Sequence, residues 1–559
     1  MDYIELVKYY EELENTTKRL EKIEILSRLF KSCSLNELSF IVYLVQGKVF
    51  PECDERKIGF SSRLILKALS NIIGINQDNV EKLWKKKGDL GIVAEELIKN
   101  KKQTTLYANK LICEKVFNNI RKLSELEGEG TVNKKIQLIS EVLSNAKPEE
   151  AKFIVRTILE ELRVGVKEGV IRDSISKAFD SDVKDVEYAF NLTVDYGEVA
   201  ELAKKNELKH VKIKVGRPIK LMLAILVKDI KEGFESVGKP LQSEFKLDGF
   251  RISIHKENNK INLFTRRMED VTRQFPDIVD IVKEHVKGTN FIIDCEAVGI
   301  DKKTGRYLPF QKISQRIKRK YDIEKTANEY PVELNVFDVI CLNNKNLMNF
   351  SLKYRREILE GIVAEKKGKV VLTKKLVSDN ENEIMNFYKE SLKSGNEGLM
   401  LKNLDSKYIP GRYVNGWCKL KNELEPLDLV ITKCLYGEGK RAGWLTSFTV
   451  ACKSRDKFLN IGDVSTGLKE KESEKGITYK EMTKILKILI KEEKGKQVIV
   501  EPKIIIEIGY EEIQKSPTSS SGYSLRFPRF LRLRQDKPLS EINTLKDIER
   551  IYKTQRGKK

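Results

Sequence analysis

One lysine stands at the centre of the run Glu244-Phe245-Lys246-Leu247-Asp248-Gly249-Phe250-Arg251, between two acids and ahead of a glycine and an arginine. Alternation along an extended chain puts Glu244, Lys246 and Asp248 on one face. That placement suits a lysine nucleophile held in a phosphate-binding cleft. A lysine amine is ordinarily protonated, with a pKa of about 10.4, and keeping it neutral at pH 7 costs roughly 4–5 kcal/mol. Burial and nearby cations supply such a shift: a metal ion, Arg251 or the lysines further on. Asp248-Gly249 reads as a tight hairpin turn between residues 243–247 and 250–254. An exposed hairpin with a salt bridge would carry similar residues. The spaced pattern Glu-x-Lys-x-Asp-Gly-x-Arg arises by chance on the order of 10⁻³ times in a chain this long.

Its companions downstream decide between the two. Thr265-Arg266-Arg267-Met268-Glu269-Asp270 ends a strand with cations. Phe291-Ile292-Ile293-Asp294-Cys295-Glu296 reads as a buried strand ending in two acids, a place for a site carboxylate. Asn335-Val336-Phe337-Asp338 ends another strand with an aromatic able to stack on a base. Glu397-Gly398-Leu399-Met400-Leu401-Lys402 offers a second carboxylate beside a glycine. Trp417-Cys418-Lys419-Leu420-Lys421 puts two lysines on one strand face. Two like charges there call for an anion, and a phosphate is the economical one. Taken singly, each run also reads as a charged turn, a core aromatic or a solvated strand face.

The elements that must position these residues change character along the chain. Residues 1–210 show apolar residues at helical spacing, as in 3–31, 34–43, 62–73 and 135–144. Pro148 followed by Glu149-Glu150 marks a helix start, with an apolar face over 153–162. The run Arg163-Val164-Gly165-Val166-Lys167-Glu168-Gly169 reads as a turn. From Val211 short β-rich runs at 251–255, 260–265, 291–300 and 333–342 alternate with helical runs at 278–286 and 352–363. This is an α+β texture. Residues 422–429, with Pro426, read as a linker. Strands at 430–436, 445–453, 457–464 and 499–510, with a helix at 479–492, suggest a small OB-type barrel of about five strands.

Composition narrows the class. The chain has 559 residues, a net charge of +21 and a pI near 9.3. Such a charge points to a polyanionic partner. The eight cysteines are scattered without a Cys-x-x-Cys pair, so no zinc module is visible and free thiols of a reducing, cytoplasmic compartment are expected. No apolar span is long enough for a membrane helix, and the start of the chain lacks a signal-peptide pattern. With only His210, His255 and His285 present, chemistry must rest on Lys, Arg, Asp and Glu.

With the runs at 244–251, 263–272, 291–300, 397–402, 417–421 and 532–537 in this order, the chain resembles the ATP-dependent DNA ligases of the archaeal and eukaryotic replicative type. Further similar stretches are Pro309-Phe310-Gln311, residues 437–443, Arg526-Phe527-Pro528-Arg529-Phe530 and Glu161-Leu162-Arg163-Val164-Gly165-Val166. The resemblance implies a helical DNA-binding domain at 1–210, an adenylation (nucleotidyltransferase) domain at 211–422 and an OB-fold domain at 423–559. It implies that Lys246 attacks the α-phosphate of ATP, that AMP passes to the 5′-phosphate of a nick, and that the 3′-hydroxyl then seals the strand. Work in DNA replication, repair and recombination follows from that activity.

The same resemblance assigns roles. Glu296 and Glu397 are expected to hold Mg²⁺, with Mn²⁺ as an alternative. Arg251, Arg266, Lys419 and Lys421 face the α-phosphate, Phe337 stacks on adenine, and Glu244 accepts from its amino group or neighbouring backbone. Arg532, Arg534, Asp536 and Lys537 resemble residues that orient pyrophosphate. The family often has a Lys-Arg pair after Pro410-Gly411. Here the pair reads Arg412-Tyr413, and Arg412 is carried over as an ATP contact one position early. The partner expected is nicked duplex DNA. Gln103, Leu106 and Tyr107 resemble a shortened sliding-clamp motif, although Leu106 and Tyr107 would equally begin a helix. An RNA ligase or a capping guanylyltransferase shares the lysine–nucleotide chemistry. The long helical region and the run at 526–530 argue against both.

Overall fold

The computed structural model describes residues 1–559 apart from 102–109, 129, 318, 320, 412, 422–423, 438–440, 442, 471–475 and 556–559. Arg412 and the clamp-like residues Gln103, Leu106 and Tyr107 lie outside the described residues. Among those described, twelve α-helices run from Tyr3–Glu14 to Tyr196–Lys204, followed by a single turn at Leu208–His210. Pro148–Ile158 shows why they form. Its proline occupies the first helical position, Glu150 reaches back to the Lys147 N–H at 2.7 Å, and Ala151, Phe153, Ile154 and Ile158 share the buried side. The region 3–31 is two helices, Tyr3–Glu14 and Arg19–Ser32. They are separated at Asn15-Thr16-Thr17, side chains that compete with the backbone for hydrogen bonds. One continuous core, including Tyr10, Phe30, Phe153 and Phe190, unites the helices. Lys22 is buried among them and donates to the carbonyls of Leu13, at 2.8 Å, and Val164, which anchors the turn after residue 162.

Two sheets form the middle of the chain. The first has the edge-to-edge order Leu223–Val227, Tyr413–Lys421, Gly398–Asn403, Leu241–Lys246, Lys375–Ser378. Its helix-facing side chains, among them Leu241, Leu399, Leu401, Cys418 and Leu420, pack on Ile230–Val237 and Glu381–Lys393. The second sheet runs Lys260–Thr265, Phe250–Glu257, Asn290–Ile300, Val332–Leu342, Lys345–Asn346, with two short strands beside it. It packs on Pro276–His285 and Leu352–Ile362 through Ile252, Ile293, Leu334 and Leu359. The two sheets meet over Met222, Ile292, Ile340 and Trp417.

Here the hairpin expectation is overturned. Leu241–Lys246 belongs to the first sheet and Phe250–Glu257 to the second, so Asp248-Gly249 carries the chain from one sheet to the other. A Cβ on Gly249 would lie 2.4 Å from the Ala297 carbonyl oxygen, so the glycine is required by close approach and not by a turn type. Two other expectations shift as well. Asp294 and Glu296 lie inside the strand Asn290–Ile300 and do not end it. Phe337 lies inside Val332–Leu342 at an irregularity, because Asp294 pairs with Asp338 while Cys295 pairs with Val336. The extra residue is a bulge, which re-aims its side chain.

The C-terminal part is β-rich around its own core of Leu427, Ile431, Phe448, Val450, Ile461 and Ile508. The main sheet has seven strands among the described residues, with a separate pair at Glu512–Lys515 and Tyr523–Arg526. Residue 427 already begins the strand Leu427–Tyr436, so the expected linker is shorter than 422–429. The expected helix at 479–492 stops at Lys487 and gives way to the strand Ile490–Lys494. The expected strand at 499–510 is two, Gln497–Val500 and Ile505–Gly509. All eight cysteines are free thiols. No described helix is long and apolar enough to cross a membrane.

Candidate active site

Strict alternation builds one wall of the site. Leu241, Leu399, Leu401, Cys418 and Leu420 turn to the helices, so Gln242, Glu244 and Lys246 share the opposite face with Met400, Lys402, Trp417, Lys419 and Lys421. Register fixes the neighbours across the sheet. Gly398 lies between Lys246 and Lys421, Met400 between Glu244 and Lys419, and Lys402 between Gln242 and Trp417. Gly398 has φ +149°, and a Cβ there would sit 2.0 Å from the Leu420 carbonyl oxygen. Only a glycine lets the two lysine-bearing strands close at this level.

The second sheet supplies the opposite wall. Arg251 pairs across strands with Glu296. The Arg251 guanidinium donates to the Met222 carbonyl at 2.6 Å, to Asp294, and to the Tyr408 hydroxyl oxygen at 3.1 Å. It lies 5.3 Å from the Phe337 ring and 5.7 Å from that of Trp417. Between the walls opens a cleft of about 1880 Å³. All of Glu244, Lys246, Arg251, Arg266, Glu296, Phe337, Glu397, Lys419 and Lys421 line it.

Charge is concentrated at its floor. Lys246 Nζ lies 2.7 Å and Lys421 Nζ 3.1 Å from the same oxygen, Oε2 of Glu397. Burial alone would raise the Glu397 carboxyl, but the charges of Lys246 and Lys421 outweigh it and hold the group at about 2. Glu296 goes the other way. Burial, and then the charge of Glu397, push it up to about 8 against the pull of Lys246. Asp248 is raised by burial and by Glu397. Lys419 is lowered by burial and by the cations Lys421, Lys246 and Arg266 around it. Four cations thus converge on one end of the cleft, beside two carboxylates of unequal character. That arrangement can bind a polyphosphate and hold a hard divalent cation.

The reading from sequence gave no role to Lys402, yet its Nζ lies 2.6 Å from Glu244 Oε2 and both side chains are almost fully buried. Gln242 Nε2 donates to the other Glu244 oxygen at 2.6 Å. The alternation that marks Lys419 and Lys421 also marks Met400 and Lys402, so the signal was present. Asp294 and Tyr408 were missed as supports of Arg251. Tyr408 lies more than 100 residues from its partner, and no local pattern shows such a contact.

One expected group is absent from the cleft. Arg532 pairs with Glu507 at 2.8 Å, Arg534 with Asp428 at 2.9 Å and Asp536 at 3.0 Å, and Lys537 with Asp428 at 2.7 Å. These charges are satisfied on the β-rich part itself, and none lines the cleft. That part instead presents Glu511, Arg526 and Phe527 to the cleft, and Lys421 reaches Glu511 at 3.2 Å. The helical part contributes residues 48–52, 54–57 and 59 to the rim, and Lys220 bridges to Glu52 at 2.9 Å.

Comparison with known proteins matches these parts. Residues 2–176 fit the model for the DNA ligase N terminus, 221–421 the ATP dependent DNA ligase domain and 441–537 the ATP dependent DNA ligase C terminal region. A DNA ligase of Nanoarchaeum equitans is 46% identical, covering 100% of this chain and 99% of the relative. The chain belongs to the ATP-dependent DNA ligase family. A DNA ligase of Thermococcus onnurineus is 39% identical over 99% of this chain and 98% of its own length. A solved structure described as "Pmar-Lig_PreS3" shares the fold, with a TM-score of 0.57 at 17% identity, covering 95% of this chain and 99% of that one. In this ligase-family frame the lysine-centred cleft falls within the ATP dependent DNA ligase domain, with the other two parts on its rim.

Proposed function

We propose that the chain seals nicks in duplex DNA through an adenylate carried on Lys246, with residues 1–210 gripping the duplex, 211–422 adenylating and 423–559 covering the nick. The supporting observation is the floor of the cleft, where Lys246 shares Glu397 with Lys421 and lies beside Lys419 and Arg266. In the first step the Lys246 amine attacks the α-phosphorus of ATP. A P–N bond forms, the bond to pyrophosphate breaks, and the amine proton is released. An oxygen of the nick's 5′-phosphate then attacks the α-phosphorus, the P–N bond breaks, and the Lys246 amine is restored as AMP passes to the DNA. The 3′-hydroxyl attacks the 5′-phosphate and AMP leaves. Lys419, Lys421, Arg251 and Arg266 carry positive charge on the side where phosphate charge develops.

Glu296 and Glu397 fit a divalent cation, Mg²⁺ or Mn²⁺, because they offer hard carboxylate oxygens side by side at the floor of the cleft, where burial and the charge of Glu397 push Glu296 up to about 8 in spite of Lys246 and Arg251. Among the described residues no third carboxylate, histidine or cysteine joins them, so phosphate oxygens and water would complete the shell. When bound, such an ion stabilises charge on the transferring phosphate. Phe337 stacks on the base. Free thiols throughout suit a reducing, cytoplasmic setting. Contact of Arg532 and Arg534 with pyrophosphate requires the C-terminal part to turn from its present orientation. The test is sealing of a singly nicked duplex with ATP and Mg²⁺. Ligated product formed only with both supports the reading, and its absence at any ATP concentration removes it.

A further inference from the structure

The helical part is tied to the back of the nucleotide cleft through a buried amide. Asn191 lies near the end of Val183–Thr193 and is 8% exposed. Its Nδ2 donates to the Pro410 carbonyl at 2.9 Å, and its own backbone carbonyl accepts from the Lys220 N–H at 2.9 Å. The two segments it holds are also tied to each other, because the Gly411 N–H donates to the Leu221 carbonyl at 3.1 Å. Gly411 has φ +87°, and a Cβ there would lie 2.4 Å from Asn191 Oδ1. The glycine lets the loop close over the amide. Asn191 and Lys220 fall between the stretches that match the N-terminal and adenylation models, at 2–176 and 221–421.

The supports of Arg251 stand directly beside this seam. Met222 follows Leu221, and its carbonyl accepts from the guanidinium at 2.6 Å. The Tyr408 hydroxyl accepts from Arg251 and from the Met222 N–H, each at 3.1 Å, and donates to Asp294 at 2.8 Å. Leu192, next to Asn191, packs in one apolar cluster with Ile219, Met222, Tyr408 and Trp417. Hydrogen bonds and packing therefore lead from the helix to the arginine. We propose that Asn191 is a positioning residue for self-adenylation. It fixes residues 220–222 and 408–411, and through Met222 and Tyr408 it aims Arg251 at the α-phosphate. The inference rests on the function proposed above. A guanidinium is a rigid planar fork, so displacing its carbonyl and hydroxyl acceptors re-aims it. The helical part thus serves the first chemical step, before any DNA is bound, as well as gripping the duplex.

The experiment follows single-turnover transfer of α-labelled ATP to the full chain, with Mg²⁺ and no DNA. It compares the wild type, N191A, R251K and N191A/R251K, with G411A as a second change at the same seam. Unfolded molecules lower the amplitude, and the folded ones alone set the rate constant, so lost stability does not imitate the effect. N191A should lower the rate constant at saturating ATP about tenfold or more, since a misplacement of about 1 Å can cost roughly 10²-fold. The ATP concentration for half-maximal rate should shift by less than about threefold, because charge on the phosphate develops in the transition state. In the R251K background N191A should add less than about threefold, whereas independent sites would multiply their effects. A wild-type rate constant in N191A, or in G411A where N191A yields no folded chain, overturns the proposal. So does a loss confined to the ATP requirement, or an N191A effect of equal size with and without R251K. Failure of the wild-type chain to take label from ATP at all removes both this inference and the function it rests on. Label taken at the wild-type rate by the Asn191 variant removes this inference alone.

Discussion

Glu397 holds two lysines on one oxygen, which ties the nucleophile to the lysine at the end of Tyr413–Lys421. Removing its charge leaves Lys246 and Lys421 facing each other across Gly398. Glu397→Gln should therefore slow lysine labelling by roughly 10²-fold, the scale seen when one preorganised charge is lost. Glu296→Gln should raise the Mg²⁺ concentration needed for half-maximal labelling. A metal titration of both variants checks this, and wild-type rates across it would free that residue of a metal role. The residue types of this cleft were legible in the chain: a lysine between acids, paired lysines two apart, and carboxylates among apolar runs. Their partners were less so. That Arg251 would be committed to Asp294 and Tyr408, and Glu244 to Lys402, depends on which strands become neighbours.

At the scale of elements, the site depends on two sheets meeting where the chain crosses at Asp248-Gly249. Within the first sheet, Gly398 is the glycine at the closest strand approach. Gly398→Ala adds a Cβ 2.0 Å from the Leu420 carbonyl oxygen in a conformation unfavourable to alanine. It should destabilise the chain by about 1–3 kcal/mol and spread the two lysine-bearing strands. A lowered melting temperature together with weakened labelling checks this. A second test concerns His255, fully buried in Phe250–Glu257, whose Nδ1 accepts from the Gly216 N–H at 3.2 Å. Burial pushes it down to about 3. The unfolded chain binds this proton below about pH 6.5, and the folded chain does not until about 3. The neutral ring thus favours the fold above pH 6.5. That contribution falls as pH drops, by up to about 1.4 kcal/mol per pH unit. In His255→Phe, denaturant titrations between pH 6.5 and 4 should show a shallower loss of stability than in the wild type. Strand identities were legible because alternation is local. The crossing was not, since Asp-Gly between two alternating runs is also the signature of a hairpin. The helix at 479–492 was read too long because Ile488, Leu489 and Ile490 continue an apolar pattern through the turn that ends it.

Over the whole molecule, a helical part, a two-sheet part and a β-rich part share the rim of one cleft, and the net charge is +21. Such a protein should bind nicked duplex with log K falling against log salt at a slope near −0.9 per phosphate contacted, about −5 or steeper for six contacts or more. Binding measured across a salt series tests this, and a flat response would assign the charge another purpose. The order of the parts was legible from the change in periodicity near residue 211. Their mutual orientation was not, because it rests on contacts such as Lys421 with Glu511 and Lys220 with Glu52 that join distant segments. It also leaves Arg532, Arg534 and Lys537 paired on their own domain. The proposed sealing reaction turns on Lys246 carrying AMP, so the most direct measurement is its labelling. The chain is incubated with α-labelled ATP and Mg²⁺, denatured, digested and mapped. The account predicts acid-labile label on Lys246 alone, none on Lys246→Ala, and continued sealing of a pre-adenylated nick by that variant. Label on another residue, or label retained by Lys246→Ala, would contradict it.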